Sequence, residues 1–334
     1  MNLPKILRTV KIPIRQVEKG YLRQWKQWGV PGVIFTLFLF VLGVFSPAKA
    51  QAGNAPTIEQ LISSATHLMV FSPHPDDETL GAGGLIERVL KAGGKVRVVF
   101  MTDGEGYSGG VKKIDHISNP TAKDYRGYGA LRREEALKAT ATLGMPGRDV
   151  MFLGFPDDGL FYLRSTFLSS NSVYISPATL EDRPLKSEEI IPGADYNGQN
   201  LIKVIERVIA DFRPTLVATT PGQDWHLDHN STYFFVKKAL KHWDKKHPRH
   251  KPVVITFLIH FGRWPVTQGS AADSRLHPPK YFPDTGIQWV SFPLSPREVE
   301  IKRKAILEYR SQMLVMGVYL MSFARSNELY MLGE

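Results

Sequence analysis

Two short clusters of histidine and acidic residues hold the side chains best suited to chemistry in this sequence. The first, Ser72-Pro73-His74-Pro75-Asp76-Asp77-Glu78, places one histidine and three carboxylates within five residues. Carboxylates this close repel one another unless a cation compensates, and imidazole and carboxylate are both good ligands for a divalent metal such as zinc. His74 and Asp77 can therefore face one ion, with Asp76 beside it. A solvated turn that caps the following helix is the simpler alternative.

The second cluster, Trp225-His226-Leu227-Asp228-His229, has two histidines three positions apart with an acid between them. His229 can complete a His, Asp, His ligand set with the first cluster and leave coordination positions for water or substrate. His226 is then available across the site to stabilise an oxyanion or to donate a proton. Asp228 is placed to hydrogen-bond a histidine and fix its orientation, and we count it among the candidate catalytic residues for that reason. Together the two clusters favour a metal centre over a solvated turn.

Alternating strands and helices must bring these clusters together. An apolar run at 67–71 predicts a buried strand before the first cluster, and residues 80–92 keep helical spacing after it. Further strands are predicted at 95–102, 149–153, 214–220 and 253–259, and further helices at 126–143, 201–212, 233–243 and 297–312. This alternation predicts an α/β fold with a mainly parallel sheet covered by helices. The polar turns after the strands then share one sheet edge, where ligands bind.

The charge of the chain is concentrated at its N-terminus. The net charge is +10, but residues 1–50 carry eight Lys or Arg and one Glu, so nucleic-acid binding is not expected. An uncharged apolar run at 30–45 and Ala48-Lys49-Ala50 predict either a cleaved signal peptide or an N-terminal anchor. Both predict export, with membrane contact only through this leader. We expect a linker at 51–65 and one domain at 66–334.

The two clusters, with Thr102-Asp103-Gly104-Glu105 between them, resemble the motifs of the zinc-dependent LmbE-like/PIG-L deacetylases. The resemblance covers about residues 66–312. It implies a Rossmann-like fold with helices on both faces of the sheet and one bound zinc ion. It also implies removal of an acetyl group from an N-acetylglucosamine-containing or related sugar amide.

The resemblance also implies roles for individual residues. The zinc ligands would be His74, Asp77 and His229. Asp76 would be the general base, and His226 the group that stabilises the oxyanion or acts as acid. The segment Arg132-Arg133-Glu134-Glu135-Ala136 resembles a family helix in which an arginine holds the substrate, and Arg132 and Arg133 fit that role equally well.

Other functions are weighed against this interpretation. A non-catalytic carbohydrate-binding protein at the cell surface could hold the metal, but it would not need Asp76 or His226. A nucleotide-binding oxidoreductase is suggested by Gly81-Ala82-Gly83-Gly84, but the spacing is not Gly-x-Gly-x-x-Gly and the preceding acids would repel a pyrophosphate. A serine-hydrolase elbow is not expected. The chain has no cysteine, which excludes disulfides and thiolate ligands. The sequence leaves the natural substrate and the oligomeric state open.

Overall fold

The computed structural model describes residues 57–283 and 286–332. All of these residues belong to one compact unit. The predicted leader, residues 1–50, and the first part of the predicted linker lie outside them, so the leader and its cleavage stay predictions. Within the described ranges, no helix has the length and apolar character needed to cross a membrane.

A single mixed sheet of seven strands forms the centre of the described part of the chain. The strands are β1 (His67–Ser72), β2 (Lys95–Phe100), β3 (Val150–Phe152), β4 (Leu216–Thr219), β5 (Val253–Phe257), β6 (Gln288–Pro293) and β7 (Asn327–Leu332). Their order across the sheet is β3-β2-β1-β4-β5-β7-β6. The five strands from β3 to β5 pair in parallel, whereas β7 is antiparallel to both β5 and β6. The predicted mainly parallel sheet is confirmed.

Helices cover both faces of this sheet, as predicted. They are α1 (Asp77–Lys91), α2 (Ser108–Asp115), α3 (Ala122–Thr142), α4 (Leu160–Arg164), α5 (Gly198–Phe212), α6 (Leu227–Lys246), α7 (Pro296–Glu308) and α8 (Arg310–Met321). Successive side chains of a strand point to opposite faces. In β1, Leu68 and Val70 pack in a core with α1, α3 and α7, whereas Met69 and Phe71 pack in a second core with α5 and α6. Because both faces are buried, β1 is apolar along most of its length.

Helix α1 begins at Asp77, inside the first cluster and earlier than predicted. Its glycines let it lie close to the sheet. A Cβ on Gly81 would clash with the ring of Phe257, and a Cβ on Gly84 would clash with Leu294. Gly81-Ala82-Gly83-Gly84 is therefore a packing surface inside a helix, not a phosphate-binding loop, which removes the basis for the nucleotide-binding alternative.

The prediction of one helix over 297–312 is wrong at its end, because α7 and α8 are separated at Tyr309. This residue has a non-helical backbone (φ −76°, ψ 60°) and a fully buried side chain whose hydroxyl donates to Glu78. The backbone N–H and the hydroxyl of Ser311 donate to the carboxylate of Glu135 at 2.8 and 2.6 Å. These partners lie far away in sequence, so helical periodicity alone does not reveal the break.

Strands β6 and β7 were not predicted. The second of them contains Asn327 and Glu328, both buried, which weaken the apolar signal of a strand. Glu328 accepts hydrogen bonds from the N–H of Gly84 and from Lys302 Nζ, both at 2.7 Å. Its burial is thus compensated by groups that only the fold brings near.

Candidate metal centre

The candidate site lies where the turns after β1 to β5 meet, at the carboxyl edge of the parallel strands. A cavity of about 260 Å³ opens there. The turns contribute His74, Asp76, Asp77, Tyr107, Asp157, Asp158, His226, Ile259 and His260, and α8 contributes Gln312, Met316 and Tyr319. Groups from five separate turns converge on one cavity, as parallel strand order predicts.

His74, Asp77 and His229 are buried and point at one another. His74 Nδ1 lies 3.2 Å from Asp77 Oδ2, and His229 Nε2 lies 3.1 Å from the same oxygen. The two ring nitrogens are 3.2 Å apart. The turn after β1 supplies His74, the first residue of α1 is Asp77, and the first turn of α6 supplies His229. The structure therefore brings together the three residues that the sequence suggested as ligands.

Each of the two histidines has a carboxylate next to its other ring nitrogen. His74 Nε2 lies 3.0 Å from Asp157 Oδ1 and 3.5 Å from Asp228 Oδ2. His229 Nδ1 lies 3.2 Å from Asp224 Oδ2. A carboxylate behind a ligand histidine fixes the ring and raises its basicity, and this arrangement is typical of metal sites.

The three facing atoms fit a tetrahedral zinc ion, whose bonds of about 2.0–2.1 Å place neighbouring ligand atoms roughly 3.3 Å apart. The charge of the site also favours a cation. Burial by itself lowers the pKa of His74, but the charge of Asp157 and hydrogen bonds to Asp157, Asp228 and Asp77 together hold that pKa well above its usual value. Burial also lowers the pKa of His229, but the charges of Asp77 and Asp224 outweigh it together with their hydrogen bonds and raise that pKa to about 9. Carboxylates that stabilise protonated histidine rings also stabilise a divalent cation that takes the place of those protons.

Asp76 lies beside the ligand set in a strained backbone conformation, with φ 133°. Its N–H donates to Glu78 Oε2 at 3.1 Å, and its Oδ2 lies 3.3 Å from Arg132 Nη2. Burial raises the pKa of Asp76 to about 8, although the charge of Arg132 opposes the shift. Strain of this kind is found at functional sites. The carboxylate is thus held next to the ligands without being one of the three facing atoms.

The structure separates the two candidate arginines. Arg132 lines the site cavity and donates to the carbonyl oxygens of Pro75 and Gly104 as well as to Asp76. Arg133 does not line this cavity and pairs with Asp103 and Glu188. Arg132 is already committed to three oxygens, so its position supports the Asp76 turn directly. Contact of either arginine with substrate stays a prediction.

His226 lies above the ligand histidines, with its ring centre 4.8 Å from that of His74. It is the N-cap of α6, and its Nδ1 accepts a hydrogen bond from the N–H of Asp228 at 3.3 Å. Burial lowers the pKa of His226 to about 2, and the charge of neighbouring histidines adds to the effect. The ring is therefore neutral, with its proton on Nε2.

Asp228 does more than orient His74. Its Oδ2 accepts the N–H of Asp158 at 2.7 Å and its Oδ1 accepts the N–H of Leu160 at 3.0 Å. It thus ties the turn after β3, which carries Asp157, to the start of α6. Its contacts are structural ones around a ligand, and a catalytic role for Asp228 itself stays a prediction.

Three contributors had no role assigned from the sequence. Asp157 and Asp224 stand behind the ligand histidines, and His260 lines the cavity with its ring centre 4.9 Å from that of His229. All three lie in turns that follow predicted strands. Position at the carboxyl end of a strand was therefore the signal that could have found them.

The expectation that the sequence lacks the Gly-x-Ser-x-Gly motif of a serine-hydrolase elbow is wrong, because Gly106-Tyr107-Ser108-Gly109-Gly110 matches that motif. The structure places Ser108 as an exposed residue at the first position of α2. The cavity is lined by its neighbour Tyr107 and not by Ser108. The motif therefore does not form a nucleophile at the candidate site.

The structure is an α/β domain with a buried His, Asp, His set at the carboxyl ends of its parallel strands, which is where ligands bind in sheets of this kind. A family model described as "PIG-L: GlcNAc-PI de-N-acetylase" matches residues 69–240, slightly more than half of the chain. The chain belongs to the PIG-L family. This result confirms the family suggested by the sequence motifs.

Two curated proteins are similar in sequence to part of the chain. It is 26% identical over 205 residues to a 1D-myo-inositol 2-acetamido-2-deoxy-alpha-D-glucopyranoside deacetylase of Mycobacterium sp. (strain KMS), covering 59% of this chain and 56% of that protein. It is 25% identical over 194 residues to a probable N-acetyl-alpha-D-glucosaminyl L-malate deacetylase 2 of Bacillus subtilis (strain 168), covering 58% and 67%. The chain thus spans little more than half of the mycobacterial relative.

Solved structures are also similar. A deacetylase from the biosynthesis pathway of teicoplanin has 18% identity and a TM-score of 0.49, over 80% of this chain and 97% of that one. A conserved protein from Thermus thermophilus has 20% identity and a TM-score of 0.46, over 77% and 84%.

Proposed function

We propose that this protein is a metal-dependent N-deacetylase that hydrolyses the acetamido group of an N-acetylglucosamine-containing saccharide or related sugar amide. The observation that carries the proposal is the convergence of three ligand atoms beside Asp76 and His226. The names of both curated relatives, which describe deacetylation of glucosaminyl compounds, support it.

Zinc is the metal that we propose for His74, Asp77 and His229. Two imidazoles and one carboxylate form a common donor set of catalytic zinc sites, which leave a position open for water or substrate. Zinc bound there would supply Lewis acidity, which acidifies water and polarises an acyl oxygen.

Asp76 is the proposed general base. A base works best when its pKa lies near the working pH, and burial moves the pKa of this carboxyl upward in that direction. In the proposed reaction, Asp76 accepts a proton from the attacking water as the oxygen bonds to the acetyl carbon. It then returns that proton to the nitrogen as the C–N bond breaks, so that the products are acetate and a free amine. Arg132 holds the carboxylate in place.

His226 is the proposed oxyanion donor. Its Nδ1 accepts a backbone hydrogen bond, so its proton is on Nε2. The Nε2–H group can therefore donate a hydrogen bond to the developing oxyanion. One well-placed donor of this kind contributes roughly 3–4 kcal/mol to the transition state. A ring whose pKa is lowered to about 2 is a weak proton carrier, so we assign the proton delivery to Asp76 rather than to His226.

The proposal is tested by acetate release from a panel of N-acetylglucosaminides with the full chain, before and after metal chelation and zinc add-back. We expect release that chelation abolishes and zinc restores. The matched variants are His229→Asn, which should lose both metal and activity, and His242→Asn, which changes an exposed histidine away from the cavity and should lose neither. Sugar binding with one metal per chain and no acetate release would instead support the non-catalytic carbohydrate-binding alternative.

The leader adds a second part to the proposal, namely that the enzyme works outside the cytoplasm. Cell fractionation, with N-terminal sequencing of the mature chain, would distinguish a signal peptide cleaved after Ala50 from an uncleaved anchor. Recovery of the whole chain in the cytoplasm would contradict export.

A further inference from the structure

A second, larger cavity of about 740 Å³ lies along the outer face of α6. Its lining residues on this helix include Asn230, Phe234, Lys238, Lys241 and Lys245. Their spacing of three or four residues places them on one face of the helix. The opposite face is buried in the core. We call this cavity the α6 cleft.

The α6 cleft is strongly basic. Six cationic residues line it, and the one acidic residue among the lining residues is Asp244. Outside the first 50 residues, the chain has 34 Lys or Arg against 31 Asp or Glu. The surplus of five positive charges in the cleft therefore exceeds the surplus of the whole remaining chain. A charge count over the whole sequence does not reveal this local concentration of positive charge. The basic character of the protein is therefore not confined to the leader.

Most cations of the α6 cleft lack acidic partners. Among residues 57–283 and 286–332, none of the salt bridges involves Arg164, Lys238, Lys241, Lys245 or Lys251. Arg164 is only partly exposed, and burial lowers its pKa. A partly buried charge without an acidic partner is costly, so Arg164 favours an external anion, and the exposed lysines around it add to the positive potential of the cleft.

The shape of the cleft favours a chain-like ligand. Lys238, Lys241 and Lys245 follow one another at about one helical turn, or roughly 5–6 Å. Aromatic rings lie among the cations, with the Arg164 guanidinium 5.7 Å from the Phe234 ring centre and Lys238 Nζ 5.5 Å from the same centre. Spaced cations pair with spaced anionic groups, and aromatic rings offer flat apolar surfaces between them.

The α6 cleft also begins beside the candidate metal centre in the sequence. Gly222 and Asn230 line the cleft, and they flank the segment that carries Asp224, His226 and His229. The segment that builds the candidate metal centre therefore begins and ends next to residues of the cleft.

We propose that the α6 cleft binds an acidic glycan, meaning a saccharide chain that carries carboxylate or phosphate groups at intervals. The glycan identity rests on the proposed function, since the cleft then holds the anionic part of a chain whose N-acetyl group reaches the metal centre. The anion binding itself rests only on the charge and shape of the cleft.

The test measures binding of fluorescent hyaluronan and phosphomannan oligosaccharides to the full chain at low ionic strength. The cleft variant is Lys238→Gln/Lys241→Gln/Lys245→Gln. The matched control is Lys95→Gln/Lys138→Gln/Lys186→Gln, which removes the same charge at exposed positions outside the cleft. The leader is present in every variant, so its own attraction for anions cancels in the comparison.

We expect the cleft variant to bind at least one of the two acidic glycans roughly ten-fold more weakly, because three exposed ion pairs contribute a few-fold each. The control should bind like the wild type, and neutral chitin oligosaccharides should bind equally to all three. Equal losses in both variants, or no binding of either acidic glycan, would overturn the proposal. So would equal or tighter binding of single-stranded DNA, or binding only to vesicles of anionic lipid.

The same proteins are assayed for acetate release from a small neutral N-acetylglucosaminide. The cleft variant should retain that activity, because none of its changed residues lines the site cavity. Glycan binding without any acetate release would count against the proposed function alone. Acetate release without glycan binding would count against the α6 cleft alone.

Discussion

Asp224 offers the sharpest test of the metal centre, because its carboxylate connects three parts of the site. Oδ1 accepts the N–H of His226 at 2.9 Å. Oδ2 accepts the N–H of Ile259 at 3.0 Å and of His260 at 2.9 Å, and it lies 3.2 Å from His229 Nδ1. The side chain is fully buried, so no water can replace these contacts without rearrangement.

The variant Asp224→Asn keeps the shape but removes the charge and one acceptor. If the amide oxygen takes the Oδ2 position, the amide nitrogen faces the N–H of His226. If the amide is turned over, its nitrogen faces the N–H groups of Ile259 and His260. Loss of a carboxylate behind a ligand histidine weakens metal binding by roughly 10–100-fold, or about 1.4–2.7 kcal/mol. One buried N–H without an acceptor costs a further 1–3 kcal/mol of folding stability, approximately.

Metal affinity would be measured by competition with a chromophoric chelator, and stability by urea unfolding of the metal-free proteins. Asp115→Asn is the matched control, because Asp115 is exposed on α2. A metal affinity of Asp224→Asn within two-fold of the wild type, roughly, would refute the role of Asp224 behind His229. An equal loss in Asp115→Asn would show that the effect does not arise in the site.

Three further predictions concern catalysis, core stability and acid sensitivity. Asp76→Asn should keep near-normal metal content and lose at least about 10²-fold in turnover, and loss of metal on elemental analysis would contradict its role as base. Lys302→Met should destabilise the fold by roughly 3–5 kcal/mol in urea, because it strands the fully buried Glu328 that pairs with Lys302 at 2.7 Å. A loss under about 1 kcal/mol would refute that estimate. Burial opposes a hydrogen-bonded pairing with Arg88 at Glu298, and the net effect lowers the pKa of Glu298 to about 2. A lowered pKa gives stability that is present above the ordinary glutamate pKa and is lost as pH falls toward 2. The difference in unfolding free energy between wild type and Glu298→Gln should therefore shrink from pH 7 to pH 3. A constant difference would contradict this prediction.

The charge of the chain shows how composition can mislead. A count over the sequence assigned most of the net charge to the leader, which is correct as a sum. The fold then places Lys238, Lys241 and Lys245 on one exposed face of α6 and brings Lys251 to the same cavity. Acidic residues elsewhere offset these lysines in the count, but they are not near them in space.

Local sequence signals were sufficient to predict the parts of this protein that depend on residues close together in the chain. The apolar run before the first cluster predicted β1, because a strand buried on both faces needs no polar alternation. The candidate ligands His74 and Asp77 lie three residues apart where a strand gives way to a helix, and His229 lies in the first turn of a helix after another strand. Such signals lie within a few residues of each other, and the strand–helix alternation then predicts which sheet edge they share.

Contacts between residues far apart in the sequence depend on how the helices and strands pack. Adjacent residues on a helix point about 100° apart, so Arg132 reaches Asp76 while Arg133 reaches Asp103, and the phase depends on how α3 packs. Asp157 reaches His74, which is distant in the sequence, because β3 and β1 are separated in the sheet by β2 alone. Packing contacts of this kind join residues far apart in sequence, and local periodicity carries no record of them.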